Sequence, residues 1–243
     1  MIQVEVAVPT DPTLHELLKG HPHVVFSDRH RAVGWLSFWQ NGRERHVLSG
    51  VDGAEVFGLP ELMDNNPMVC ADRVGVPSPL GTLGLIAFGP LARAGIIAEE
   101  PTILSSFEAD IQGVEEALAS IPYNQPIGLH WDRKELGSVL AATCFAEVAE
   151  PDEWTEIDAL YNESFGRTFF VRQTHEGDWD TKLVAGTPHA AFRYRVSPDS
   201  PRGLVEIQVM ADLNGKCGAA QAMHVFNLMC GFEESLGLQS SSL

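Results

Sequence analysis

The chain has 243 residues, 44% hydrophobic and 20% charged, with a formal net charge of −17 at pH 7. That length and apolar share permit one large domain or two small ones with a sizeable core, and they exclude a disordered chain. The acidic surface repels phosphate backbones and anionic lipid, so neither nucleic acid nor a membrane is expected as a partner. No apolar run reaches membrane-spanning length, and Met1 to Pro12 does not read as a signal peptide, so a cytoplasmic location with reduced thiols is expected. Cys70, Cys144, Cys217 and Cys230 form no C-x-x-C pair, which argues against a cysteine zinc site or a disulfide framework.

Alternation of Ile2, Val4, Val6 and Val8 predicts a strand, broken by Pro9, Asp11 and Pro12. A short helix follows over Thr13 to Lys19, capped by Thr13 or Asp11. Val24 to Phe26 is a short apolar run. Trp35–Trp39 and Arg45–Leu48 read as a hairpin around Asn41-Gly42. Leu80 to Ala94 predicts a buried helix ended by Gly95, Thr102 to Phe107 a strand, and Ile111 to Ile121 an amphipathic helix. Strands are expected at Ile127–Leu129, Ser138–Val148, Phe169–Arg172, Ala190–Val196 and Leu204–Ala211. Helices are expected at Asp152–Phe165, with Asp152 as its cap, and at Gly218–Leu236. From about residue 100 there is no regular βαβ alternation. The fold class is therefore α+β, a mostly antiparallel sheet with helices on one face.

The tail reads Asp212-Leu213-Asn214-Gly215-Lys216-Cys217-Gly218-Ala219-Ala220-Gln221-Ala222-Met223, then Asn227-Leu228-Met229 and Gly237-Leu238. This resembles the end of the N-acetyl-γ-glutamyl-phosphate reductase family of the arginine pathway. Val56-Phe57-Gly58-Leu59-Pro60-Glu61-Leu62, Leu129-His130-Trp131 and Phe169-Phe170-Val171-Arg172 are similar to further family motifs, in the same order. The resemblance implies a substrate and dimerisation domain over 55–243, like the C-terminal domain of semialdehyde dehydrogenases and reductases. It leaves 1–54 as a reduced, vestigial α/β remnant of a nucleotide-binding domain.

The departures bear on chemistry. The family's Gly-x-x-Gly-x-x-Gly loop lets backbone amides approach a pyrophosphate at a helix N-terminus. Here Ala7-Val8-Pro9-Thr10-Asp11-Pro12-Thr13 has no glycine, one anion and two prolines without N–H donors. No cofactor is therefore expected. The family's nucleophilic cysteine attacks an acyl phosphate. Its position is matched by Pro79, within Val76-Pro77-Ser78-Pro79-Leu80-Gly81-Thr82. The family's histidine-bearing general-base segment has no counterpart. Reductase activity is not expected, even in a complex where a partner supplies the cofactor domain.

Several residues are candidates for a different chemistry. Glu108 and Asp110 occupy the family's active-site loop; on a continuing strand they would share one face and could divide acid and base roles. The alternative is a pair of carboxylates favoured by a helix N-terminus. Cys217, beside Lys216 at the mouth of the last helix, reads either as a low-pKa nucleophile or as a small gap-filling residue. His130 at a strand end is a candidate proton shuttle or anion ligand. The resemblance places Arg172 and Lys182 near the substrate side, as ligands for a carboxylate or as surface ion pairs. Lys216 and Gln221 match the family's tail, as substrate ligands or as packing residues. His21, His23 and His30 are the only clustered histidines, and no metal site is expected.

Two functions remain open. The first is a non-redox enzyme of amino-acid metabolism, acting by cyclisation, hydrolysis or acyl transfer on a small amino-acid-derived carboxylate, semialdehyde or activated acyl group. The second is a non-catalytic pseudoenzyme that scaffolds or regulates a partner enzyme. A homodimer through the C-terminal sheet is expected under either. Convergence of Glu108, Asp110 and His130 on one cavity would favour the enzyme.

Overall fold

The computed structural model describes residues 3–28, 31–63, 65–149, 155–174, 177, 179–199 and 202–238. They form two six-stranded sheets. In the first, β1 (Val4–Ala7) leads through α1 (Pro12–Lys19) to the parallel neighbour β2 (Val24–Ser27). β3 (Leu36–Gln40) and β4 (Arg43–Ser49) form the expected hairpin, with Asn41 and Gly42 at φ of 52° and 78°. Both angles are positive, as a tight two-residue turn between right-twisted strands requires.

Three elements were not anticipated: β5 (Val56–Phe57), α2 (Asn65–Cys70) and β6 (Arg73–Val76). They are short, two to six residues each, and carry too little periodicity to be read from the residues. β6 pairs in parallel with β4 and β5, giving the order β2-β1-β3-β4-β6-β5. This sheet runs on to Val76, past the expected boundary after residue 54.

The second sheet has the order β10-β11-β12-β9-β7-β8, with β7 at Thr102–Ser105, β8 at Gly128–Trp131, β9 at Val139–Ala149, β10 at Val171–Gln173, β11 at Ala190–Asp199 and β12 at Arg202–Asp212. The central pairings β7–β9, β9–β12 and β12–β11 are antiparallel, and the edge pairings β7–β8 and β10–β11 are parallel. The fold class is the expected α+β arrangement. α3 (Pro79–Arg93), α4 (Ile111–Ala119) and α5 (Thr155–Phe165) lie on one side, and α3 is buried from Leu80 to Ala92 against β9 and β12. A Cβ on Gly81 would lie 2.7 Å from the Gly113 carbonyl, so the α3–α4 approach depends on that glycine. Tyr161 on α5 donates to the Ala87 carbonyl across this core.

α6 (Ala219–Cys230), the last helix in the chain, packs under the first sheet instead. Its Met223, Val225 and Phe226 share a core with Val4, Leu18 and Phe38. It stops well before the expected Leu236. Gly231 takes a left-handed φ of 71°, the Gly231 N–H bonds the Leu228 carbonyl, and the Phe232 N–H bonds the Asn227 carbonyl. These bonds satisfy the orphan carbonyls of the last turn. The expected cap Asp152 lies outside the described residues.

Candidate functional site

The β1–α1 turn sits where a dinucleotide's pyrophosphate would have to approach α1. Asp11 caps that helix, its Oδ1 accepting from the Leu14 N–H at 2.8 Å, and Pro12 is the first helical residue. The chain's own carboxylate takes one of the N-terminal donors and places negative charge where a phosphate would go. The turn does not fit a nicotinamide dinucleotide.

α3 begins at Pro79, the position matched to the family's nucleophile. Ser78 caps it, its Oγ accepting from the Gly81 N–H at 3.1 Å. In front of this helix end lies a cavity of about 510 Å³, bounded by Pro79, Phe107, Leu140 and Leu213 together with Glu108 and Asp110. The cavity therefore keeps the two carboxylates that the sequence singled out. They do not share a strand face, because β7 stops at Ser105. The Ser105 hydroxyl donates to the Phe107 carbonyl at 2.7 Å and accepts from the Phe107 N–H, turning the chain out of the sheet. Asp110 is the N-cap of α4, its Oδ1 accepting from the Gln112 N–H at 3.1 Å. Both carboxylates are exposed.

His130 is not in this cavity. It lies on edge strand β8 opposite Leu104, whose β9 partner is Thr143, followed across the sheet by Gln208 and Arg193. That row is on the face of the sheet away from α3, because the alternate residues Ile103, Cys144 and Ile207 are in the α3 core. The expected meeting of Glu108, Asp110 and His130 does not occur.

Cys217 differs from the nucleophile reading in both access and charge. It is 4% exposed, and its thiol donates to the Pro79 carbonyl oxygen at 3.7 Å. Burial pushes its pKa up to about 12, with Lys216 opposing and Asp212 adding to the rise. The thiol stays protonated at neutral pH. The lysine and helix mouth that would lower the pKa are present, but desolvation outweighs them.

Lys216 is likewise no open substrate ligand. It is 0% exposed, and its Nζ pairs with Glu61 at 2.5 Å. Burial lowers its pKa, and Glu61 opposes that shift. His224 completes the cluster, with Nδ1 3.4 Å from Lys216 Nζ and Nε2 3.2 Å from Glu234. Burial, then the Lys216 charge, lowers the His224 pKa, consistent with a neutral ring accepting at Nδ1 and donating at Nε2. In the sequence Glu61 stands out only as part of the Val56–Leu62 motif, and Glu234 carries no motif at all. The available signal was one acid and one histidine inside otherwise apolar segments, which need partners when buried.

Gln221 is buried on α6, and neither side-chain amide atom has a hydrogen-bond partner among the described residues. Arg172 is exposed on β10 with its guanidinium 5.5 Å from the Phe169 ring, and Lys182 is exposed on a 3-10 turn. Neither lines the cavity before α3. His21 is buried, its Nε2 3.1 Å from Asn227 Oδ1 and its Nδ1 accepting from the His23 N–H. Burial lowers its pKa to about 4. Among the described residues no group of three or more His, Cys, Asp or Glu is placed to hold a metal, and no helix is long and apolar enough to cross a membrane.

No protein-family model matches the chain. Among curated proteins, the N-acetyl-γ-glutamyl-phosphate reductase of Bacillus cereus (strain 03BB102) is 24% identical over 227 residues, covering 80% of this chain and 65% of the relative. That of Microcystis aeruginosa is 26% identical over 244 residues, covering 86% and 68%. The chain thus spans about two thirds of the length of the curated relatives it matches. Among solved structures, aspartate semialdehyde dehydrogenase II of Vibrio cholerae complexed with ASA superimposes with a TM-score of 0.63 at 12% identity, covering 94% of this chain and 98% of that one. A second structure of the same Vibrio cholerae enzyme gives 0.62 at 13%. The chain resembles the N-acetyl-γ-glutamyl-phosphate reductases in sequence and is built on the fold of the aspartate semialdehyde dehydrogenases.

Proposed function

We propose that this protein is a non-catalytic relative of the amino-acid-biosynthetic reductases, a pseudoenzyme that scaffolds or regulates a partner enzyme in the cytoplasm. One observation carries this reading: the candidates for covalent or acid–base work do not converge, and Glu108 alone stays open beside the cavity. Proline stands at the nucleophile position, the Cys217 thiol is buried and held protonated, Asp110 caps a helix, and His130 lies on the far face of the sheet. General acid–base catalysis needs its groups within hydrogen-bond reach of one reacting centre. The far face of the second sheet, with the His130–Arg193 row, is the surface we assign to self-association or to a partner with the same fold.

The test uses the full chain with the N-acetyl-γ-glutamyl-phosphate reductase of its own organism. Alone, the protein should neither reduce nor hydrolyse N-acetyl-γ-glutamyl phosphate. Mixed with the reductase, it should form a complex of defined mass by light scattering and change that enzyme's kcat or KM. Turnover by the protein alone, abolished by Glu108→Gln or Cys217→Ser, would overturn the reading.

A second reading, a non-redox enzyme acting on an amino-acid-derived carboxylate, semialdehyde or acyl group, has one observation in its favour. A cavity lies before α3, next to the position that the resemblance matches to the family's nucleophile, with Glu108 and Asp110 beside it. In that case N-acylated glutamate, aspartate or their semialdehydes should raise the melting temperature, because a ligand that binds only the folded state stabilises it.

A further inference from the structure

The cavity before α3 has a charge pattern that selects its occupant. Its floor is apolar, formed by Phe107, Leu140 and Leu213 beside Pro79, and Leu213 is 46% exposed. Its rim carries three carboxylates, Glu108, Asp110 and Glu116, and among the described residues no lysine, arginine or histidine lines it. An anionic acyl phosphate or an N-acyl amino acid entering here meets like charge on the rim and no cation to receive it. The family's substrate class is therefore a poor fit to this cavity.

The arrangement also has length. Asp110 precedes the first turn of α4, and Glu116 lies on its second turn, where it accepts from the Gln112 amide at 2.9 Å. Six residues at 1.5 Å each spread these carboxylates over roughly 9 Å. One small cation would neutralise part of that row and leave the apolar floor wet. A chain with basic side chains at intervals and an apolar residue between them satisfies both.

We propose that this groove docks a basic, apolar-anchored segment of a partner protein. An aliphatic or aromatic side chain seats on the Phe107–Leu213 floor, and arginine or lysine side chains lie along Glu108, Asp110 and Glu116. The inference rests on the scaffold reading above and specifies the chemistry of the partner. Net charge of −17 over the whole chain adds long-range steering of such a segment.

The probe is a fluorescein-labelled nine-residue peptide alternating leucine and arginine, followed by anisotropy with the full chain in 0.15 M salt. A leucine–glutamate counterpart and free argininamide serve as comparators. The leucine–arginine peptide should bind and the glutamate peptide should not. The triple variant Glu108→Gln, Asp110→Asn, Glu116→Gln should weaken binding at least about fivefold, three exposed ion pairs together accounting for that factor. Asparagine at 110 keeps a capping side chain, so α4 is preserved. Leu213→Ser should weaken binding as well, at unchanged charge. The control triple Glu16→Gln, Glu44→Gln, Asp52→Asn removes equal charge from exposed positions away from the groove and should leave affinity within about twofold. Equal weakening by both triples would reduce the effect to bulk charge and overturn the proposal. So would absence of peptide binding, or displacement of the peptide by argininamide at equal concentration. Complex formation with the reductase is read separately: a complex without peptide binding overturns the groove alone, and peptide binding without a complex overturns the scaffold reading alone.

Discussion

The tail loop and the cavity before α3 touch where the Cys217 thiol approaches the Pro79 carbonyl, yet they hold their polar groups in opposite ways. In the tail, Asp212 is 1% exposed and accepts from the Ser138 hydroxyl and the Gly186, Asn214 and Gly215 N–H groups, while Lys216 is locked to Glu61 and His224. In the cavity, Glu108 and Asp110 are exposed, and Asp110 accepts from the backbone of its own helix. The motif that most resembles the reductases is thus built into the interior as structure. The cavity is open, and Pro79 stands at the position that the resemblance matches to the family's nucleophile. Burial makes each polar group of the tail costly to change, because a partner left unpaired in the interior pays its full desolvation penalty.

The sharpest way to break this contrast is Glu61→Gln. It leaves the Lys216 ammonium buried without its countercharge, and it should cost about 3–5 kcal/mol in urea unfolding. The double variant Glu61→Gln, Lys216→Met should recover most of that loss. Asp212→Ala strips one acceptor from several buried donors at once, and a loss of about 2–3 kcal/mol is expected in the same assay. Changes at the helix caps should be smaller. Asp110→Ala and Asp11→Ala each remove a helix cap, at about 1 kcal/mol, and the corresponding asparagine variants should be nearly neutral. A cost for Asp110→Ala as large as that for Glu61→Gln would erase the distinction between the two regions.

The last effect is a slope with pH. His21 and His189 both have pKa values lowered to about 4, chiefly by burial, and His224 is lowered in the same direction. Below the unfolded value near 6.5 the unfolded chain binds more protons than the native one, so stability should fall as pH drops from about 6.5 towards 4. Protonated His21 also loses the acceptor at Nδ1 that the His23 N–H uses. Melting temperatures from pH 7.5 to 4.5 test this, and His21→Gln should flatten the curve. A melting temperature that rises on acidification would refute the burial of these rings as neutral groups.

Much of the fold could be read from the residues. Alternation in Val4–Ala7, the Asn41-Gly42 turn, Asp11 as a cap and the apolar run of α3 are local signals, and each element formed close to its expected place. β5, α2 and β6 could not be read that way, because segments of two to six residues carry too little periodicity. The end of α6 was misjudged because apolar residues continue past Gly231, and backbone hydrogen bonds rather than composition terminate a helix.

The site divides along the same line. The sequence by itself determined what is absent from named positions: a nucleophile at Pro79 and glycines in the β1–α1 turn. It also determined the likeness of the tail to the reductases. Only the tertiary structure decided the state of the groups that remain. It buried Cys217 so that desolvation outweighs the neighbouring lysine, paired Lys216 with a residue 155 positions away, and set His130 on the opposite face of the sheet from Glu108 and Asp110. Those outcomes depend on burial and on contacts between distant segments, and neither is encoded in residue type or local spacing.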